Sequence, residues 1–573
     1  MPMLKNYFSR SLAVFSLLLL AFATHAQVPA WQRAIALTQD GGNSSRTTST
    51  ATNAAGEVFI TGTFYNSIKL GTITLVSPAR YSIDMFVAKW SPVTNSFVWA
   101  VQAGGPGSDN ARGLAVQGNN VYMSGSYNSA GATFGNIRMT SFGGSDAFVA
   151  KLIDAGSSAA WSWVQHGGGT SEDYGGSLAV SGTNVYLGGG YTAATGSPQA
   201  TFGPSRLLNL GGYDGFVAKL VDVGANPDFA WALPIQGNGN DDVDRLVVSG
   251  ENVYAVGSFY SIPLQLGSLR VANSGNLDGF VTKLVDEGSS GRFAWGLGMG
   301  GERNDYLSAI AVSGNSLYLA GCFASPTIAI ANTTFTNAGP SGTQDVLLAK
   351  ITDAGTTASY QWARQLGGTD DDVATALITR DGNGYVGGYF ASPTLTIGST
   401  ALTNLGRHDI YVARFSDTGT APAYAWALSA GGTTTDEVYD LALSPKAELH
   451  VGGVIHGPVN FGTISATGSI GSIRDDNAFL ATIGNVVPLA TTSAAPALQL
   501  TLHPNPAHGV ITVRLPAAGA TGFTVTDVVG RVVKKQQVIS LSSTEVQLDL
   551  TDLIPGAYLL RTSTGAVGRL VVE

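Results

Sequence analysis

Cysteine is all but absent. Cys322 is the single one in 573 residues, so no intrachain disulfide and no cysteine-based zinc site can form. It takes the place that Ser126 and Ser258 hold elsewhere in the chain, which marks it as a small core residue rather than a nucleophile. Charge is scarce, at 12% of residues, and no basic cluster interrupts a formal net charge of −9. That balance excludes a nucleic-acid partner of the usual phosphate-binding kind. Only seven histidines occur. His450 and His456 stand six apart on a strand-like segment and lack a third ligand for a metal site. Past the N-terminus no run of 18 apolar residues exists, so no transmembrane segment is expected. No Gly-x-Ser-x-Gly elbow, no Gly-x(4)-Gly-Lys-Ser/Thr loop and no His-Glu-x-x-His motif is present.

Glycine is plentiful, at 74 residues, beside 44% hydrophobic residues. That pairing fits short strands joined by tight turns and excludes disorder. The N-terminus reads as an export signal over 1–26. Lys5 and Arg10 precede an apolar run from Leu12 to Ala23, and Thr24-His25-Ala26 ends in a small residue. About 12 apolar residues are too few to hold in a bilayer, so the segment reads as cleaved.

Trp31, Trp99, Trp163, Trp231, Trp295, Trp362 and Trp426 recur at spacings of 68, 64, 68, 64, 67 and 64 residues. Such a period marks one supersecondary unit copied seven times. The copy around Trp163 reads as strand and turn chemistry: Leu178-Ala179-Val180, a Ser181–Asn184 turn, Val185-Tyr186-Leu187, then Phe216 to Leu220, then the strand of Trp231. The stretch between the second and third strands has room for a small hairpin. The third strand opens with Asp84, Asp146, Asp214, Asp278, Asp345 and Asp409, and with Asn477 in the last copy. Five residues on stand Lys89, Lys151, Lys219, Lys283 and Lys350, then Arg414 and Thr482. That offset puts the two on opposite faces of one strand, so such an Asp and Lys can meet only across neighbouring sheets.

The phase of the series decides the architecture. It starts on a tryptophan strand with no partners before it and ends on a third strand with no tryptophan strand after it. A closed ring resolves both orphans. The expectation is all-β: a seven-bladed β-propeller of four-stranded blades over 27–486, closed by the N-terminal strand. An open solenoid would need atypical capping repeats, and none is evident. The pattern Trp-Ala-x(3)-Gly-Gly-x(3)-Asp, Leu-Ala-Val, Asn-Val-Tyr-x-x-Gly, Asp-x-Phe-Val-Ala-Lys resembles the bacterial SBBP-type β-propeller repeat family. The resemblance implies an extracytoplasmic protein and carries no catalytic residues.

After a linker rich in Ala, Thr, Ser and Pro (487–497), residues 498–573 show seven short β runs, which suit a small Ig-like β-sandwich. This region resembles the type A C-terminal sorting domain of the type IX secretion system. The matches are Pro504-Asn505-Pro506-Ala507, Asp527-Val528-Val529-Gly530-Arg531, Leu553-Ile554-Pro555-Gly556-Ala557-Tyr558, and Arg569-Leu570-Val571-Val572. Pro504, Asn505, Pro506, Gly530, Arg531, Gly556 and Tyr558 carry the motif. The resemblance implies passage through the periplasm, recognition by the secretion machinery at the outer membrane, and release or attachment outside.

The connections from each tryptophan strand to the next copy share a face with the variable stretches. Each holds a Gly and, four residues on, a carboxylate: Asp109, Asp173, Asp241, Asp305, Asp372 and Asp436, with Gly42 and Arg46 in the first copy. These six can attract a cation or basic ligand, or they can cap their own turns. Acid clusters at Asp241-Asp242-Val243-Asp244 and Asp370-Asp371-Asp372 suggest calcium. However, Arg245 replaces the turn glycine and Ser249 the closing glutamate of a calcium loop. The reading is a monomeric, exported binding or scaffold protein without cofactor, its ligand an extracellular protein or glycan. The alternative is a polysaccharide-acting hydrolase or lyase using loop carboxylates. The series points to the unequal stretches between second and third strands as the place of specificity.

Overall fold

A computed structural model of the chain describes residues 29–37, 44–192, 199–468, 476–484, 486, 500–514, 522–527, 531–537, 545–562 and 567–573. The export signal, the linker and Gly530 lie outside the described residues. The chain divides into two compact units, Met1–Val486 and Val487–Glu573. The protein is all-β, with no helix among the described residues.

In the first unit, one pattern of four antiparallel strands recurs. In the third copy the order is Asp173–Ser181, Asn184–Tyr191, Asp214–Val221 and Phe229–Ile235. The first copy starts at Ser45–Thr52 and the last at Glu437–Leu443. That last set contains only three sequential strands, and its fourth is the N-terminal strand Ala30–Ala36, which pairs with Asn477–Gly484. The first strand of each set packs on the first strand of the next, and Glu437–Leu443 packs back on Ser45–Thr52. The cores follow the same succession. One cluster joins Ala478 and Leu480 of the last set to Val58, Ile60 and Phe86 of the first. Another joins Tyr122 and Val149 to Leu178 and Leu187.

The third strands are continuous apolar runs because both of their faces are covered; Asp214–Leu220 is buried throughout. Between second and third strands each copy adds a two-stranded hairpin, such as Gln199–Phe202 with Ser205–Leu208. These hairpins are core pieces. Phe134, Phe202, Leu266, Ile330, Ile397 and Phe461 are all buried. The hairpin of the second copy, Ala132–Phe134 with Ile137–Met139, also extends the sheet of the first. The stretch that varies most in sequence is therefore a packing element.

The tryptophans hold neighbouring sheets together. Trp163 Nε1 donates to Asp222 Oδ1 (2.9 Å), and Lys151 Nζ and Tyr122 Oη donate to Oδ2 (both 2.6 Å). The same staple joins Trp231, Lys219 and Tyr186 to Asp286, and Trp295, Lys283 and Tyr254 to Asp353. The lysine thus pairs across sheets, but not with the strand-opening Asp. Its partner is the Asp at the end of the third strand of the next copy, or one residue past it in the case of Asp222. In the sixth copy Arg414 turns instead to Asn383 Oδ1 of its own sheet (2.7 Å). Burial alone would raise the Asp222 carboxyl, but its bonds from Lys151, Tyr122 and Trp163 outweigh that and hold it below its usual value. The Lys151 side chain is 14% exposed and that of Asp222 7%, so Asp222→Ala leaves a largely buried lysine and two donors unpaired. We expect a loss of about 3–5 kcal/mol in denaturant unfolding; a loss under about 1 kcal/mol would show that the staple is ornamental.

The second unit has two antiparallel sheets over one core. One holds Thr501–His503, Val510–Arg514 and Glu545–Asp549. The other holds Val532–Gln537, Gly522–Asp527, Gly556–Thr562 and Val567–Val572. Ile511, Val513 and Leu548 of the first meet Phe523, Val525, Leu560 and Leu570 of the second.

Candidate functional site

The six loop carboxylates, Asp109, Asp173, Asp241, Asp305, Asp372 and Asp436, are all at 0% exposure. Their oxygens are spent within their own turns. Gly105 N–H donates to Asp109 Oδ2 (2.8 Å), Ser129 Oγ to the same oxygen (2.7 Å), and Asn128 and Ser129 N–H to Oδ1. Gly301 and Ser325 serve Asp305 likewise, and Gly368 and Ser392 serve Asp372. Asp173 and Asp436 accept from Gly169 and Gly432, and Asp241 from Ser261.

Each faces the strand-opening Asp of the preceding copy. A Cβ on Gly104 would stand 2.0 Å from Asp84 Oδ1 and 3.0 Å from Asp109 Oδ2. On Gly168 it would stand 2.7 Å from Asp146 Oδ1 and 2.5 Å from Asp173 Oδ2. The paired glycines of the loop follow from this: the first gives the two carboxylates room, the second donates its N–H. Burial pushes Asp146 and Asp173 up to about 7. Where the last sheet meets the first, both acids are gone. Asn477 takes the strand-opening place, and Ala478 N–H donates to Ser45 Oγ (3.0 Å). Ser45 pairs with Phe64 as Asp109 pairs with Tyr127, so Ser45, not Arg46, occupies the carboxylate register.

Three residues beyond that register every first strand carries a β-bulge. The breaks fall at Thr47/Ser49, Ala111/Gly113, Gly175/Ser177, Val243/Arg245, Leu307/Ala309, Ala374/Ala376 and Val438/Asp440. The carbonyl before each bulge points at a glycine of the second strand. A Cβ on Gly62, Gly125, Gly189, Gly257, Gly321, Gly388 or Gly453 would stand 1.8–2.0 Å from that oxygen. The recurring glycine is therefore the counterpart of the bulge.

The seven extra residues are Thr48, Arg112, Gly176, Asp244, Ser308, Thr375 and Tyr439. They are of six different residue types. All seven line one cavity of about 410 Å³, with Arg46, Asn110 and Tyr174 beside them. The Arg112 guanidinium lies 4.6 Å over the Tyr174 ring, a stacked cation–π geometry. Arg46 is tied to Asp476 through Nε (2.6 Å). Asp244 opens to the cavity, where its recessed position among the strands, with the Asp242 charge second, pushes its carboxyl up. Arg245 crosses from the fourth set to the seventh. Its Nη2 donates to Tyr439 O (3.0 Å) and lies 3.9 Å from Asp440 Oδ1. At the same register the other copies have Ser49, Gly113, Ser177, Ala309 and Ala376, so one arginine and one aspartate meet over small residues. Arg245 also lines a second cavity of about 200 Å³ beyond them, and so forms a floor.

The residues considered for calcium do not converge. Asp241 is buried and accepts from Ser261, whereas Asp244 opens to the cavity; in the other cluster Asp372 accepts from Gly368 and Ser392, and Asp371 from Gln344 N–H. Among the described residues no three His, Cys, Asp or Glu gather into a metal-sized group. His450 is buried against Trp90 and Thr482, whereas His456 bonds Asp476. Cys322 is fully buried and burial pushes its thiol up.

In the second unit the motif residues secure turns and edges. Asn505 bridges to the last strand, donating to Arg569 O and accepting from Val571 N–H (both 2.8 Å). Pro504 and Pro506 flank it. Arg531 returns to Asp527 through N and Nε (2.9 and 2.7 Å). Gly556 opens the strand in which Tyr558 packs, its hydroxyl donating to Ile554 O (2.7 Å).

Residues 501–573 match the family of secretion system C-terminal sorting domains. The chain carries a type IX sorting domain. It is accordingly exported by that system, to the medium or the outer cell surface, and interacts with its machinery. No curated protein matches the sequence. Among solved structures, a protein of unknown function from Dyadobacter fermentans shares 11% identity over 70% of this chain and 98% of its own (TM-score 0.31). The phage phi92 endosialidase shares 8% over 94% and 87% (TM-score 0.36). A Trypanosoma rangeli sialidase mutant with trans-sialidase activity shares 10% over 96% and 89% (TM-score 0.31). Likeness at this level carries no argument about activity.

Proposed function

We propose that the sorting-domain protein displays a seven-bladed β-propeller, residues 27–486, outside the cell, and that it binds a polar ligand in the cavity of the seven bulges. The return of the strand series to its start, with the N-terminal strand completing the last set, supports the closed propeller. The decisive observation for the site is the convergence of all seven bulge residues, of six different types, on one cavity. Divergence at one fixed register, all facing one cavity, is what a ligand site grafted on a symmetric scaffold requires. The six loop aspartates are read as turn staples. Hydrolysis of a glycosidic bond asks for two carboxylates across that bond; the bulges supply only Asp244, which favours binding over turnover.

The mature protein should be titrated calorimetrically with a panel of soluble polysaccharides, organic acids and amino acids. Arg112→Ala is expected to weaken the responding ligand about tenfold, or 1.4 kcal/mol, while Asp109→Asn leaves it unchanged. The converse result would return the site to the loop carboxylates. Product release in the same samples would overturn the binding-only reading.

A further inference from the structure

The cavity does not end at Tyr174. On the other side of that ring lies a second hollow of about 230 Å³, lined by Tyr174, Tyr213, Tyr260, Asn240, Asp242 and Ser258. The Tyr174 and Tyr213 rings are 6.2 Å apart and tilted by 54°. Tyr213 is steered by its hydroxyl, which donates to Glu172 Oε2 (2.8 Å). Tyr260 remains 38% exposed, far above the buried aromatics of the repeat. Tyr306 and Tyr65 repeat Tyr174 and Tyr260 in other copies, but Tyr213 is unique to this one, and only here do the three registers all carry tyrosine. The places of Tyr213 in the other copies hold Ile83, Ser145, Leu277, Gln344, His408 and Asp476. Open aromatic faces edged by carboxylates and amides suit rings that are apolar on their faces and hydroxylated at their rims. The acids beside them, Glu172 and Asp242, oppose a phosphate-bearing chain.

We propose that the site takes a saccharide chain of at least two units, one ring in the cavity of the bulges and the next on the tyrosine hollow. This rests on the cavity as the ligand site and adds the ligand class and its direction across Tyr174. In the cavity Asp244, Arg112 and Asn110 offer acceptors and paired donors for vicinal hydroxyls. Outside it the tyrosines offer stacking.

The test is calorimetry of the mature protein with oligosaccharides of one to four units built from glucose, mannose, xylose or galacturonic acid. One series should bind, with affinity rising about tenfold from one unit to two. Tyr213→Ala and Tyr260→Ala should each remove most of that rise and leave single-unit binding, whereas Tyr213→Phe should keep it. Arg112→Ala should weaken every length alike. Binding independent of length, indifference to both tyrosine variants, or silence from all four series would overturn the saccharide assignment. The cavity itself falls only if Arg112→Ala leaves every responding ligand of the wider panel unaffected. Matching thermal melts of the variants separate a lost contact from a lost fold.

Discussion

Deleting residues 501–573 is expected to strand the protein in the periplasm, with surface and medium signals falling to background. The removed segment is the whole sorting domain. It comprises complete sheets and a complete core, and takes no strand out of the seven sets. The truncated protein should therefore keep the melting transition of the intact first unit while losing its route out. Fractionation of cells carrying the deletion, with immunodetection in periplasm, surface and medium, gives the readout. A milder variant sharpens it. Asn505→Ala removes both bonds that tie the Pro504–Pro506 turn to the last strand and should lower export without abolishing expression. Unchanged surface display of the deletion would mean that another part of the chain carries the address.

Much of the frame was legible in the residues. The tryptophan phase anticipated that Ala30–Ala36 pairs with the last third strand, because a repeat that starts and ends on fractions of the same unit has one economical closure. The inter-sheet role of Trp163 and its equivalents was legible for the same reason, since a feature in every copy serves the frame. The partner of Lys151 was not. Asp146 opens one third strand and Asp222 follows the end of the next, and choosing between them needs the stagger between sheets. The cavity of the bulges was not legible either, for a different reason. A bulge adds a residue to one strand without changing the period, and the varied residue it presents looks like noise at Thr48, Arg112 or Asp244. The signal lay opposite, in Gly125 and its six counterparts: a glycine fixed inside an apolar strand marks a backbone that comes too close for a side chain. The stretches between second and third strands divide in two. Phe202 and its equivalents bury the hairpins, whereas Tyr213 and Tyr260, at the ends of such stretches, line the tyrosine hollow.

Raising the pH from 5 to 8 is expected to destabilise the first unit. Asp146, Asp173, Asp241 and Asp436 are pushed by burial up to about 7, and Asp84, Asp214, Asp278, Asp372 and Asp409 up to about 6. In the unfolded chain they titrate near 3.8. The folded state thus holds protons that the unfolded state has released, so the stabilisation is full below the unfolded value and is lost as pH rises through 6 to 7. The stapling carboxylates run the other way. Asp222, Asp286 and Asp353 are held low and Asp417 falls to about 2. Their contribution is present above the unfolded value and lost only in stronger acid, so it stays constant across this window. His450, depressed by burial to about 4, and His166, also lowered by burial, oppose the trend below the ordinary histidine value of 6.5, while His456, raised by its bond to Asp476, adds to it; two groups stand against six facing pairs.

Facing carboxyls titrate as pairs. Even one effective unit per pair is worth about 1.4 kcal/mol, so six pairs together reach the order of a domain's whole stability. The melting midpoint should fall by about 10 °C between pH 5 and 8 at fixed ionic strength, as read by scanning calorimetry. The joint between Asn477 and Ser45 supplies the control, because the chain has already replaced one pair there. Asp146→Asn combined with Asp173→Ser copies that joint and should flatten the slope by one pair's share. A midpoint that is level or rising from pH 5 to 8 would mean that the facing carboxyls are solvated well enough to ionise together.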